Sequence, residues 1–111
     1  MSVYMIVDAK VIDGELFSQY VEKFDEVLKK FGGRFLVRGG RVTALSGNWD
    51  PEKVVLIEFK TLEQLMHCFA SPEYLDIAPL REQSTTSRAI VVEGYRSPAP
   101  LSDKRRGGLT G

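Results

Sequence analysis

Few side chains in this sequence can handle protons or grip an anion. His67 is the only histidine, and so the only side chain whose ordinary pKa lies near neutrality. Glu58 stands inside the apolar run Val54-Val55-Leu56-Ile57-Glu58-Phe59. Loss of water there raises a carboxyl toward the pKa of a working acid or base, unless an arginine offsets it. Both are candidate catalytic residues, with an ion pair to Arg38 as the structural alternative for Glu58. Arg38 sits beside Gly39 and Gly40, where bare backbone leaves room for a ligand and a planar guanidinium can hold a carboxylate or phosphate at two points. Its alternative role is an ion pair with Glu58 or Asp8. Arg81 offers the same anion chemistry from a helix, against a plain solvated arginine. Tyr20, Trp49 and Tyr74 are amphipathic rings suited to line a pocket for a flat organic molecule, or to serve as core and interface residues. Asp8 ends its strand and reads as solvated.

Residue supply excludes other chemistry. A single cysteine, Cys68, allows no intrachain disulfide and no multi-cysteine metal site, and without a basic neighbour it reads as an inert buried thiol. His67 lacks the further ligands a stable metal site needs, so no metal is expected. Gly39-Gly40 lacks the glycine spacing and following helix of a phosphate-binding loop. The formal net charge of zero divides unevenly, with 11 Lys and Arg against 14 Asp and Glu in residues 1–95, and four against one in residues 96–111. Neither part has the clustered basic stripe of a nucleic-acid binder. No run approaches the ~18 apolar residues of a membrane span, and the start of the chain enters a strand without a signal-peptide pattern. A cytoplasmic location is the default expectation, with neither nucleic acid nor membrane as a partner.

These residues need elements to position them. Val54–Phe59 is apolar on both alternating faces apart from Glu58, which predicts a central strand. Val3–Val7 reads the same way. Asp13 and Glu15 start a helix in which Phe17, Tyr20, Val21, Phe24, Val27, Leu28 and Phe31 share one face, ended by Gly32-Gly33. Arg34–Arg38 is extended, and the spacing predicts that the strand resumes over Arg41–Leu45. The two glycines form either a hairpin turn or a bend in one long strand; the bend keeps the strand count even. Thr61 with Gln64 caps a second helix, and Ser71-Pro72-Glu73 starts another that Pro79 should bend or shorten. Ala89–Glu93 is the last strand. Residues 96–111 have no apolar face and are expected to form a disordered basic tail.

The resulting order, β-α-β-β-α-β over residues 1–95, predicts an α+β, ferredoxin-like βαββαβ domain with one antiparallel sheet and its helices on one face. Strands apolar on both faces then need a lid over the other face, and a second copy related by a two-fold axis supplies one. A homodimer joined through sheet faces is the expectation.

Over residues 3–95 the chain resembles the domain of unknown function family thirteen-thirty, within the dimeric α+β barrel superfamily. The resemblance rests on Arg34-Phe35-Leu36-Val37-Arg38-Gly39-Gly40, the Gly47-x-Trp49 loop, Val55-x-Ile57-Glu58-Phe59, Ser71-Pro72-Glu73-Tyr74 and Arg81. It implies the dimeric barrel but no agreed activity, since the superfamily holds cofactor-free monooxygenases, haem-degrading enzymes, isomerases and ligand-sensing modules. Haem ligation by His67, the parallel with the haem-degrading members, finds no supporting pattern here, and no cofactor is expected. Two expectations result. One is a small acidic organic molecule bound through Arg38 and Arg81 between sheet and helices, with cofactor-free isomerase- or monooxygenase-like chemistry if the site is catalytic. The other is a non-catalytic ligand-sensing or structural dimerisation module.

Overall fold

In the computed structural model, which describes residues 2–95, β-branched and aromatic runs form four strands, and the segments with helical periodicity pack across them. In chain order these are β1 (Val3–Val11), α1 (Gly14–Lys30), β2 (Arg34–Arg38), β3 (Lys53–Phe59), α2 (Leu62–Phe69), α3 (Pro72–Ser84) and β4 (Thr85–Glu93). The sheet order is β2-β3-β1-β4 with every neighbouring pair antiparallel. This is the ferredoxin-like α+β plan expected from the sequence, with Val54–Phe59 inside the sheet.

Local chemistry sets the helix starts. The Asp13 carboxylate accepts from the amides of Glu15 and Leu16, Thr61 Oγ1 from Gln64, and Ser71 Oγ from Tyr74. Each cap is worth about 1 kcal/mol. Gly32, at φ 83°, ends α1 in the left-handed region that glycine enters without a Cβ penalty. Pro79 neither ends nor divides α3, which runs on to Ser84.

Alternate residues of each strand face the helices. Val3, Ile57 and Phe59 from the sheet meet Tyr20, Phe24 and Leu28 of α1, Leu65 and Cys68 of α2, and Tyr74 and Ile77 of α3 in one buried core. Each large apolar side chain withdrawn from water there contributes roughly 1.5 to 3 kcal/mol. The opposite face carries Ile6, Val54, Leu56, Ile90 and Val92 with no helix over them, and Ile90 is 61% exposed.

Three boundaries differ from the expectation. Residues 41–45 do not resume the strand; pairing stops at Arg38↔Val55 and the chain runs irregularly to Glu52. Among the described residues β3 begins only at Lys53 and no other strand lies beside 41–45, and unpaired strand backbone gains no ladder hydrogen bonds. β1 runs four residues past Val7, and β4 begins at Thr85, because Lys10 and Val11 pair with Thr86 and Thr85. The polar Thr85-Thr86-Ser87-Arg88 stretch is strand by virtue of that partner, not of its own composition. The expected basic tail lies outside the described residues. No helix among those described is long and apolar enough to cross a membrane.

Candidate functional site

A cavity of about 810 Å³ opens between α1 and the helix-facing side of the sheet. Strand alternation builds its floor: Met5, Val7 and Ala9 of β1, Val55 and Ile57 of β3, and Phe35 of β2 all point the same way. Phe17, Tyr20, Val21 and Phe24 of α1 form the roof, with Phe69 and Tyr74 closing one side. The walls are therefore mostly apolar, as is usual for a small-molecule site.

The polar groups are unbalanced in charge. Arg38, Lys53 and Arg81 line the cavity, against Glu22 as the one carboxylate among its described lining residues; Arg88 borders it too, but its guanidinium turns to Asp8 on the opposite face of the sheet. Arg81 reaches in from α3. Its Nη1 donates to Ser87 Oγ at 3.4 Å, Nη2 stands 3.8 Å from Glu82, and its buried Nε has no hydrogen-bond partner. Arg38 lies at the end of β2, where a shift in register between Phe35 and Val37 turns it toward the cavity side. Its guanidinium sits 5.1 Å from the Phe35 ring centroid and 4.0 Å from Asp25. The Tyr20 and Tyr74 hydroxyls are 3.0 Å apart in a hydrogen bond that either can donate. Burial, and then the neighbouring Tyr74, hold the Tyr20 hydroxyl protonated far above the usual phenol range, while the Arg81 charge pulls weakly the other way. Tyr20 therefore stays a hydroxyl donor and does not act as a base.

Of the residues singled out by sequence, Arg38, Arg81, Tyr20 and Tyr74 come together around this cavity. Glu58, His67 and Trp49 do not line it. Glu58 faces the opposite side of the sheet, where Arg34 Nε donates to it at 2.7 Å and Tyr4 Oη at 3.4 Å. The Arg34 hydrogen bond, with Ser2 adding to it, holds its carboxyl below the usual range. The partner of Glu58 is thus Arg34 and not Arg38. His67 is exposed on α2. Trp49 is 56% exposed, and its indole N–H donates to Asp8 at 3.1 Å. Asp8 also accepts from Arg88 at 3.2 Å, so it is paired and not merely solvated. Sequence reasoning passed over Lys53. Its signal was a lysine at the first position of a strand that is apolar but for Glu58, on the same face as Val55 and Ile57 two and four residues on. Among the described residues no cluster of His, Cys, Asp and Glu could hold a metal ion.

A four-stranded antiparallel sheet with one helical face and a cavity under the first helix defines a ferredoxin-like α+β domain. Solved structures share that architecture. A protein of unknown function from Rhodopseudomonas palustris has a TM-score of 0.75 at 16% identity, with 86% of this chain and 84% of that one covered. SnoaB, a cofactor-independent oxygenase from Streptomyces nogalater, has a TM-score of 0.61 at 13% identity, covering 87% and 96%. A putative antibiotic biosynthesis monooxygenase from Nitrosomonas europaea reaches 0.52 at 14% identity, covering 84% and 89%. At these identities the likeness is one of fold. By sequence the chain belongs to the domain of unknown function family DUF1330, whose profile matches residues 2–95. No curated protein matches it.

Proposed function

We propose that this protein binds a small acidic organic molecule in the cavity between α1 and the sheet. The observation that carries the reading is the charge imbalance: three cationic side chains and one carboxylate around a mainly apolar cavity. A carboxylate there meets preorganised donors, and apolar walls receive the rest of the molecule. The test is a thermal-shift screen of small carboxylates and aromatic acids on wild type, Arg38→Ala and Arg81→Ala. A ligand at about 100 times its Kd stabilises by about 2.7 kcal/mol, equal to roughly 10 to 20 °C in Tm for a domain of this size. A hit whose shift collapses in either variant supports the reading; shifts unchanged in both variants sink it.

The protein acts as a homodimer closed through the open sheet face, in the cytoplasm. The uncovered Ile6, Val54, Leu56, Ile90 and Val92 support this assembly, which needs about 1,200 to 2,000 Å² of buried surface. Sedimentation of wild type and Ile90→Asp tests it, with the variant expected at monomer mass.

If the site is catalytic, the fold shared with SnoaB makes cofactor-free oxygenation the first activity to assay, ahead of isomerisation. The hydrogen-bonded tyrosine pair would then donate to a substrate oxygen. Glu58 and His67 lie away from the cavity, so turnover should survive Glu58→Gln and His67→Ala; loss of turnover in either would restore that residue as the acid or base. A non-catalytic ligand-sensing or dimerisation module is the alternative, and it predicts binding without turnover.

A further inference from the structure

Lys53, Ala9 and Ser87 form one row across three neighbouring strands, with Ala9 in register with both of the others. Directly paired residues point to the same side of a sheet, and all three line the cavity. Two strand spacings separate Lys53 from Ser87, roughly 9 to 10 Å between their backbones.

The row has hydrogen-bond donors at its ends and a bare middle. Ala9, 3% exposed, stops at Cβ. At the β3 end, Lys53 forms no ion pair among the described residues. Its ammonium lies 3.7 Å from where a β-carbon on Gly39 would sit, so the missing side chain leaves it space. At the β4 end, Arg81 lies over Ser87 with its Nε buried and unpartnered. An unmet buried donor such as Arg81 Nε is costly, and with the half-buried, unpaired Lys53 a fixed distance away the row suits an acceptor at each end of one molecule. Arg38 is the poorer second anchor. It belongs to the next row along, paired with Val55, and is already engaged by Phe35 and Asp25.

We propose that the cavity takes a dianion, a dicarboxylic acid with a flat or short-chain apolar middle, laid across the strands over Ala9. One carboxylate meets Arg81 and Ser87 and the other meets Lys53. The inference rests on the acid-binding reading above and adds the number and placement of the charges.

Isothermal titration of the full chain tests it, with hexanoate and benzoate as one-ended probes and adipate, suberate and terephthalate as two-ended ones. At least one diacid should bind about tenfold more tightly than its one-ended counterpart, a difference of about 1.4 kcal/mol. Lys53→Met should erase that preference while monoacid binding is retained, and Arg81→Met should weaken both kinds of ligand. Because the preference is a ratio within one variant, partial loss of folded protein cancels. Equal affinity for monoacids and diacids in wild type, or a preference that survives Lys53→Met, overturns the two-anchor arrangement and leaves acid binding standing. Failure of every acid to bind removes both.

Discussion

Replacing Gly33 with alanine should be among the most damaging single-methyl changes in the chain. Gly33 ends the turn from α1 into β2, and its amide donates to Leu28 O at 2.9 Å. A β-carbon there would fall 2.6 Å from Leu28 Cδ1 and 2.7 Å from Phe59 Cζ, well inside carbon–carbon contact. Neither neighbour has anywhere to go, since Leu28 and Phe59 are among the largest fully buried side chains. Overpacking a closed core in this way costs about 1 to 3 kcal/mol, and two simultaneous overlaps put Gly33→Ala at the upper end. For a domain of this size that is a fall of roughly 12 to 24 °C in Tm. Gly40→Ala is the matched control, because no atom lies within 4 Å of its added carbon, and it should stay within about 0.5 kcal/mol of wild type. Urea denaturation of the three proteins, fitted with a common m-value, reads both differences. Equal midpoints for Gly33→Ala and Gly40→Ala would refute the packing argument.

Tyr20→Phe and Tyr74→Phe should each cost about 1 to 2 kcal/mol by stranding the other hydroxyl, and the double variant distinctly less than the sum; strict additivity in urea denaturation would mean that the hydroxyls do not depend on one another. Glu58 has its folded-state pKa lowered by Arg34, so its contribution is present above the unfolded pKa and is lost as pH falls through the folded value. Thermal melts of wild type and Glu58→Gln should accordingly differ near neutral pH and converge in acid, and a gap that widens in acid would reverse the assignment. Cys68 is fully buried, and that burial pushes its thiol up to about 11; iodoacetamide at neutral pH should leave it unmodified in the folded protein and label it in urea, as mass spectrometry would record.

What the sequence disclosed was what local chemistry decides. The caps at Asp13, Thr61 and Ser71 are visible because an oxygen, a short spacing and an apolar stripe occur together. The inner position of Val54–Phe59 is visible because both of its faces are apolar. Pairing across the sheet is another matter. That Glu58 meets Arg34 depends on a register set by β2 against β3, with an irregularity between Phe35 and Val37 that no residue type announces. Thr85–Arg88 looks like a turn until Val11 and Lys10 are laid beside it. Val42–Leu45 has the composition of a strand and lacks a neighbour. The cavity was half legible: Arg38, Arg81, Tyr20 and Tyr74 stand out as chemistry-bearing residues, whereas Lys53 gains its meaning only from the row it shares with Ala9 and Ser87.

Trp49, the one tryptophan in the chain, donates its indole N–H to Asp8, whose side chain leaves β1 on the face turned away from the cavity. Its emission is consequently a built-in optical gauge of that face. A second molecule settling over the sheet would exclude water from the ring and shift its fluorescence to the blue, while an acid entering beneath α1 on the other side would leave the spectrum nearly still. Closure over the sheet face can thus be followed without interference from a ligand in the cavity, with no label added and no residue changed.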